Sequence, residues 1–347
     1  MNVTNQLALS LRPKRFSELI GQDKVVRRLR GLLKKRVPKC YLFHGPKGTG
    51  KTTIARILAV SLQCRHQKEF GEPCDKCRRR YKRSELPITE INCASIVEKA
   101  KDAAKMSAAQ AIRDKLSATS YELLQGRFRV YILDEAHRLS ADAQDAALKY
   151  FEDSPKENIF IVCSTRAHNI VDTLRSRCML FKIKPLEPDT IKVLVKRGLS
   201  HLHSDLSSSK LADALWENRI DSPRLILNAV ENYVAGDSPE EAAEVEAETV
   251  VDSKELCRCI VKHDWPRITK ILRQAPPSDA RGLRAAVVGY LREIMLDTSD
   301  VTEERSIAVS DAIRILCASS WTEDSNQLAL LIAELAAVYK VLANFGF

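Results

Sequence analysis

With 347 residues, the chain is too long for one ordinary domain, and its length predicts two or three domains. Its 55 lysines and arginines exceed its 45 aspartates and glutamates, and the net charge of +10 favours a polyanionic partner, although an ordinary basic protein has the same balance. No run of about 18 apolar residues is present, and the N-terminus lacks the pattern of a secretory signal. We therefore expect an intracellular chain that does not contact a membrane.

Residues 1–184 alternate short apolar runs with stretches that have apolar residues at helical spacing. Strands are predicted at 40–45, 88–93, 129–135 and 159–165. Helices are predicted between them, for example at 51–64 and 140–154. Continuous apolar strands separated by helices are typical of a parallel sheet covered on both faces, so this region is predicted to be a doubly wound α/β domain.

A glycine-rich segment lies between the first predicted strand and the helix that follows it. It consists of Gly45, Pro46, Lys47, Gly48, Thr49, Gly50, Lys51 and Thr52, with Thr53 next. This is the GxxxxGK[ST] pattern of a P-loop, in which backbone N–H groups and a helix N-terminus surround phosphates. Lys51 is expected to reach the β- and γ-phosphates, and the Thr52 hydroxyl is expected to ligate Mg²⁺. A glycine-rich turn without a ligand is disfavoured by the flanking strand and helix.

Three cysteines follow that helix, at Cys64, Cys74 and Cys77, and the last two form a CxxC pair. Such a pair binds zinc well because two thiolates from one turn can reach the same ion. Structural zinc is nearly always four-coordinate, so a fourth ligand is required. His66 lies close in sequence and Cys93 lies farther along the chain. A structural Zn²⁺ site and a segment that has lost its metal are both compatible with this pattern.

The strand predicted at 129–135 ends in two adjacent carboxylates, Asp134 and Glu135. At the tip of a strand, Asp134 is placed to hold Mg²⁺ together with Thr52, and Glu135 is placed to polarise an attacking water. Combined with the glycine-rich segment, these carboxylates predict an ATPase or GTPase. The sequence has no NKxD-type guanine-selecting motif, so ATP is favoured.

The second half of the chain has a different pattern, because no strands are predicted after residue 185. Helical patterns occupy 185–236, and an acidic stretch at 237–253 is predicted to be a linker or a solvated helix. Residues 254–347 are again helical. The last helical stretch, 326–345, is apolar almost all round, which predicts burial in a bundle or against neighbouring subunits.

Several stretches resemble the motifs of the clamp-loader branch of the AAA+ ATPases. They are Leu11-Arg12-Pro13 with Phe16 and Ile20-Gly21-Gln22, the run from Leu133 to Ser140, the helix end from Ala146 to Pro155, Ser164-Thr165, Ser176-Arg177-Cys178 and Ser222-Pro223-Arg224. Within that branch the chain is most similar to the bacterial gamma/tau subunits, and more distantly to the small subunits of replication factor C. The sequence departs from gamma/tau subunits at Arg166, where they have an acidic residue, and in having three cysteines where their zinc module has four.

The resemblance implies roles for individual residues. Those expected against the adenine are Leu11, Arg12, Pro13 and Ile20. Thr165 corresponds to the sensor 1 residue of the family, and Arg224 to sensor 2, which touches the γ-phosphate of its own subunit. Arg177 corresponds to an arginine finger that enters the ATP site of a neighbouring subunit. Taken alone, either arginine would be interpreted as a surface ion pair.

The resemblance covers about residues 8–235 and implies an ATPase core at 1–184, with a zinc insertion expected at 64–83, and a helical lid at 185–236. Beyond the acidic linker, a helical collar at 254–347 is predicted from helical pattern and position. The resemblance implies a subunit that uses ATP to open a ring-shaped sliding clamp and load it onto primed DNA.

Expected partners are the clamp, primer–template DNA contacted without sequence recognition, and other loader subunits in a ring or spiral, pentameric by resemblance. The expected location is the cytoplasm at the nucleoid, or the host cytoplasm for a viral chain.

Other functions are compatible with parts of this pattern. A Holliday-junction motor or a replication initiator would share the phosphate site, and a scaffold subunit of a clamp loader would share the fold without hydrolysing ATP. An RNA helicase is disfavoured because residues 186–347 lack the strand–helix alternation of a second RecA-like domain.

Overall fold

The computed structural model describes residues 6–102, 107–117, 128–247, 253–274, 280–296, 303–318 and 327–344. The chain divides into two compact units, with the boundary after Glu244. The first unit contains the predicted α/β region and the helices predicted at 185–236, and the second contains the helices predicted from residue 254 onward. None of the described helices has both the length and the apolar composition needed to cross a membrane.

The first unit is built on a parallel sheet of five strands in the order β2-β3-β4-β1-β5. Their bounds are Cys40–His44 (β1), Ile88–Asn92 (β2), Arg129–Asp134 (β3), Asn158–Ser164 (β4) and Met179–Lys182 (β5). The first four confirm the strands predicted from the sequence. The fifth was not predicted, because it is a four-residue edge strand in which only Phe181 is buried.

Helices cover both faces of the sheet, as the doubly wound α/β pattern predicts. The described helices that begin in the first unit are α1 (Gln6–Ser10), α2 (Asp23–Lys35), α3 (Lys51–Gln63), α4 (Asp75–Lys82), α5 (Cys93–Asp102), α6 (Ala108–Ser117), α7 (Ala141–Asp153), α8 (Asp172–Arg177), α9 (Pro188–His201), α10 (Ser208–Glu217), α11 (Pro223–Ala235) and α12 (Pro239–Ala247). The last of these extends past the boundary after Glu244. Alternate residues of the central strands enter separate apolar layers. Tyr131 and Phe160 pack on one face, whereas Ile132 and Ile161 pack on the other, against α3. The fold class predicted from the sequence is therefore confirmed.

The acidic stretch predicted at 237–253 is partly helical. Most of its described part belongs to α12, in which Ala242 and Ala243 are fully buried. Small side chains on one face of this acidic helix permit close packing. Residues 248–252 of that stretch lie outside the described residues.

The second unit consists of helices in its described part: α13 (Ser253–Val261), α14 (Trp265–Gln274), α15 (Ala280–Leu296), α16 (Glu303–Ala318) and α17 (Gln327–Asn344). The last helix buries Leu331, Leu335, Val338 and Leu342 in a common core. This spacing places them on one face of the helix. Leu330 on another face is 45% exposed, so α17 is buried along one side rather than all round.

Phe160 is the best test of the sheet's core. It is fully buried at the middle of β4, and its ring centroid lies 3.9 Å from that of Phe151 and 5.2 Å from that of Tyr131. We expect Phe160→Ala to lower the free energy of unfolding of the first unit by about 3–5 kcal/mol, because it removes these contacts and leaves a cavity. Urea denaturation followed by circular dichroism would measure the change.

Val193→Ala is the matched control, because this apolar side chain on α9 is 56% exposed. Its expected change is within about 0.5 kcal/mol. Equal losses in the two variants would contradict the assignment of Phe160 to the core.

Candidate nucleotide site

The glycine-rich segment forms the turn between β1 and α3. β1 ends at His44, the backbone N–H of Gly45 donates to the Ser164 carbonyl at 3.3 Å, and α3 begins at Lys51. In a parallel sheet the carboxyl ends of the strands meet at one edge, where ligands of open α/β folds bind. The turn therefore lies at the edge where β3 and β4 also end.

Gly48 is required by a close approach between this turn and α11. Its φ of +81° is left-handed, and a Cβ at this position would lie 2.0 Å from the hydroxyl oxygen of Ser222. Ser222 is the N-cap residue of α11, and it is buried with no hydrogen-bond partner for its Oγ among the described residues. Ser222 belongs to a motif noted in the sequence, but no role was predicted for it. In the structure it lies beside the glycine-rich turn.

Lys51 and Thr52 begin α3, with their side chains near the turn and the end of β3. Lys51 is buried and its Nζ donates to the Pro46 carbonyl at 2.5 Å. Burial lowers the pKa of this lysine, and the nearby Asp134 carboxylate partly opposes that shift. The Thr52 hydroxyl lies 2.9 and 3.0 Å from the two carboxylate oxygens of Asp134. A hydroxyl beside a carboxylate fits Mg²⁺, which prefers hard oxygen ligands.

Glu135 and Thr165 lie directly after β3 and β4, respectively. Glu135 has a left-handed φ of +54°, and its backbone N–H donates to Asp134 Oδ1 at 3.1 Å. Thr165 Oγ1 lies 3.1 Å from His137 Nε2. Burial lowers the pKa of His137, so its imidazole favours the neutral form. His137 was not predicted as a site residue, although it belongs to the DEAH run at the end of the strand.

A cavity of about 360 Å³ adjoins the glycine-rich turn. The predicted site residues that line it are Leu11, Arg12, Pro13, Ile20, Gly48, Thr49, Gly50, Lys51, Thr52, Thr53 and Arg224. Gly45, Pro46, Lys47, Asp134, Glu135 and Thr165 are not among its lining residues. The structure thus brings residues from the N-terminus, the turn and α11 to one cavity.

Two arginines contact this cavity in different ways. Arg12 Nε donates to Thr53 Oγ1 at 3.0 Å, and burial, followed by the charge of Arg56, lowers the pKa of Arg12. Arg197 on α9 also lines the cavity, and it donates to the Glu18 carbonyl at 2.9 Å. No sequence motif marks Arg197, so its place in the site could not be predicted from the sequence.

Arg177 lies apart from the cavity, at the end of α8. Its side chain is 49% exposed, its Nε lies 2.5 Å from Glu152 Oε1, and its Nη1 donates to the Thr173 carbonyl at 2.9 Å. Within one chain this arginine is therefore a surface residue with an ion-pair partner. Such a position is compatible with contact to a neighbouring subunit.

The predicted zinc ligands form a compact group in which Cys64, His66, Cys74 and Cys77 each place a ligand atom within 4.8 Å of the others. Burial and the neighbouring thiols raise the pKa of Cys77 to about 12. Cys93 is not part of this group, since it is fully buried at the start of α5. The geometry favours His66 over Cys93 as the fourth ligand, and three thiols with one imidazole fit tetrahedral zinc.

Comparisons with known proteins agree with this architecture. A family model described as DNA polymerase III, delta subunit matches residues 21–187. The chain is 36% identical to DNA polymerase III subunit tau of Bacillus subtilis over 181 residues, which is 52% of this chain and 31% of that protein. It is 34% identical to DNA polymerase III subunit gamma of Buchnera aphidicola subsp. Baizongia pistaciae over 224 residues, 60% of this chain and 58% of the relative.

The chain spans less than two thirds of the curated relatives that it matches: in Escherichia coli, the 34% identity to subunit tau covers 30% of that protein. A variant of RuvB from Thermotoga maritima shares the fold, with a TM-score of 0.50 and 18% identity over 80% of this chain and 85% of that structure. The chain is therefore similar in sequence to gamma and tau subunits of DNA polymerase III, and it shares with the RuvB variant an α/β fold that is followed by a helical C-terminal part.

Proposed function

We propose that this chain binds ATP with Mg²⁺ and uses its hydrolysis, within an assembly of loader subunits, to place a ring-shaped sliding clamp on primed DNA. One observation carries the proposal. Lys51, Thr52 and Asp134 lie together beside a cavity that is also lined by Arg12 and Arg224. Similarity to gamma and tau subunits supports the clamp-loader context.

In this proposal, the glycine-rich turn and the N-terminus of α3 bind the phosphates through backbone N–H groups. Lys51 neutralises charge on the β- and γ-phosphates, and Thr52 and Asp134 hold Mg²⁺, which polarises the phosphoryl oxygens when bound. Glu135 accepts the proton of the attacking water, and Thr165 orients that water or the γ-phosphate. Leu11, Pro13 and Ile20 supply the apolar surface for the adenine.

Two arginines make hydrolysis depend on the position of α11 and on the arrangement of neighbouring subunits. Arg224 lies at the first turn of α11, where it would contact the γ-phosphate and thereby draw α11 toward the turn. Arg177 would complete the site of a neighbouring subunit, so that fast hydrolysis requires assembly. ATP would then act as a switch: the bound γ-phosphate favours one arrangement of subunits, and its loss favours another.

DNA would be held by its phosphates, because the chain has an excess of cations and contacts to the backbone carry no sequence information. Such binding suits a loader, which has to act at any primer terminus. Affinity should accordingly fall as the salt concentration rises.

One comparison favours a second candidate function. The matching family model is described as a delta subunit, and a scaffold subunit that does not hydrolyse ATP would share this fold. The grouping of Lys51, Thr52 and Asp134, with Glu135 directly after Asp134, supports a hydrolysing subunit. The fold likeness to RuvB, at 18% identity, does not favour a Holliday-junction motor.

The direct test is ATP hydrolysis by the chain with and without primed DNA, the clamp and the partner loader subunits. We expect DNA and clamp together to raise turnover well above the basal rate. Lys51→Ala should abolish it, because the variant lacks the charge that binds the phosphates. Nucleotide binding without turnover under every condition would favour the scaffold function, and turnover that ignores the clamp would contradict clamp loading.

Arg177 can be tested separately from nucleotide binding. We expect Arg177→Ala to keep the wild-type affinity for ATP and to lose DNA-stimulated hydrolysis by about 10³-fold, the usual effect of an arginine finger. Arg175→Ala is the matched control, since Arg175 lies on the same helix and pairs with Asp172 at 2.6 Å. Equal stimulated rates in Arg177→Ala and the wild type would rule out the finger.

The four-residue cysteine and histidine group is proposed to bind one structural Zn²⁺. We expect His66→Ala to weaken zinc binding by about 100-fold or more, because it removes one of four ligands. Cys93→Ala, which removes a buried thiol outside the group, should retain the wild-type zinc content. Elemental analysis and competition with a colorimetric chelator would measure both, and zinc loss only in the Cys93 variant would reverse the ligand assignment.

A further inference from the structure

The N-terminal strap, residues 11–20, lines the nucleotide cavity with little regular structure of its own. Its one regular element is a 3₁₀ turn at Phe16–Glu18. At one end of the strap, Arg12 donates to Thr53 on α3, and near the other end the Glu18 carbonyl accepts from Arg197. The shape of the cavity therefore depends on what fixes the middle of the strap.

The middle of the strap is fixed by the cysteine module, residues 64–83. The Phe16 N–H donates to the Gly71 carbonyl at 2.9 Å. Ser17 donates twice to Glu72, from its N–H to Oε1 at 2.9 Å and from its hydroxyl to Oε2 at 2.7 Å. These bonds restrain consecutive backbone positions of the strap, and those that use the carboxylate are charge-assisted.

Packing reinforces the hydrogen bonds. Phe16 is 2% exposed, and its ring lies over Gly71, where an added Cβ would be 2.0 Å from a ring atom. Gly71 has a φ of +95°, so the backbone at this point is one that side chains rarely adopt. The absence of a side chain at Gly71 therefore leaves space in the module for the Phe16 ring of the strap.

Two of the predicted zinc ligands, Cys64 and Cys74, flank the segment that contacts the strap. Cys64 is the C-cap residue of α3 and Cys74 is the N-cap residue of α4, and the backbone N–H of Cys74 donates to the Cys64 sulfur at 3.4 Å. Gly71 and Glu72 lie in the loop between these two ligands. Fixing the ends of that loop also limits the movement of the strap.

We propose that the cysteine module positions the nucleotide-binding strap, with Glu72 and Gly71 as its positioning residues, so that metal binding at the module and nucleotide binding at the cavity favour each other. The proposal rests on the proposed function, in that the cavity binds a nucleotide. Coupling of this kind is reciprocal: if the metal strengthens nucleotide binding, the nucleotide strengthens metal binding by the same factor.

The first experiment measures the affinity of the zinc-loaded full chain for a fluorescent ATP analogue by anisotropy. We expect Glu72→Ala to weaken binding about 10-fold, because the strap loses both bonds from Ser17. Glu69→Ala is the matched control: Glu69 and Glu72 both pair with Arg30, at 3.2 and 2.8 Å, but the bonds to Ser17 belong to Glu72. The control should stay within about twofold of the wild type.

Ser17→Ala is a milder second variant, which removes the hydroxyl bond from the strap side and leaves the module unchanged. Thermal melting and zinc content of each variant would verify that the fold and the metal group are intact. We expect Ser17→Ala to weaken nucleotide binding by a smaller factor than Glu72→Ala. The double variant should bind the nucleotide as weakly as Glu72→Ala alone, and no more weakly.

The second experiment measures the reciprocal effect as the rate of zinc transfer to a colorimetric chelator. A saturating ATP analogue should slow the transfer several-fold in the wild type and in Glu69→Ala, and much less in Glu72→Ala. This proposal alone would be overturned if the wild type binds the analogue and Glu72→Ala matches the wild type both in affinity for the analogue and in the rate of zinc transfer. Failure of the wild type to bind the analogue would overturn the proposed function as well.

Discussion

The parallel pairing of β1, β3 and β4 is the constraint on which the site depends. His44 lies opposite Ser164, and Leu133 lies opposite Val162, so the strands end at nearly the same level. The turn after β1, the carboxylates at the end of β3 and Thr165 after β4 consequently share one edge. A slip of one residue in this register would turn the side chains of a strand to the opposite face of a sheet that is apolar on both sides.

Features with a local physical cause were predictable from the sequence. Unbroken apolar runs predicted β1 to β4, and the spacing of glycines, Lys51 and Thr52 predicted the turn before α3. β5 was missed because the signal of a short edge strand is one buried side chain, Phe181. Helix α17 was predicted as apolar all round, but composition alone does not show which face a neighbouring helix covers.

Features that depend on distant parts of the chain were not predictable. Arg197 and the Glu18 carbonyl are 179 residues apart in sequence, and their contact becomes visible only in the fold. The choice between His66 and Cys93 was also open, because the sequence allows either residue as the fourth ligand. The fold decides between them, since Cys93 is buried in the core at the start of α5. The contacts of the strap with Gly71 and Glu72 have the same character, since neither residue belongs to a recognisable motif.

The charges around the cavity explain why a polyanion is the expected ligand. Its lining includes the cationic side chains of Arg12, Lys51, Arg197 and Arg224, against one carboxylate, Glu18. Burial lowers the pKa of Arg12 and Lys51, and the charge of Arg224 contributes to both shifts. Keeping these side chains charged in the cavity therefore costs free energy. The N-termini of α3 and α11 add partial positive charge near the same space. A triphosphate would relieve this repulsion, whereas a neutral or cationic ligand would not, and the electrostatics of the cavity therefore favours an anionic ligand.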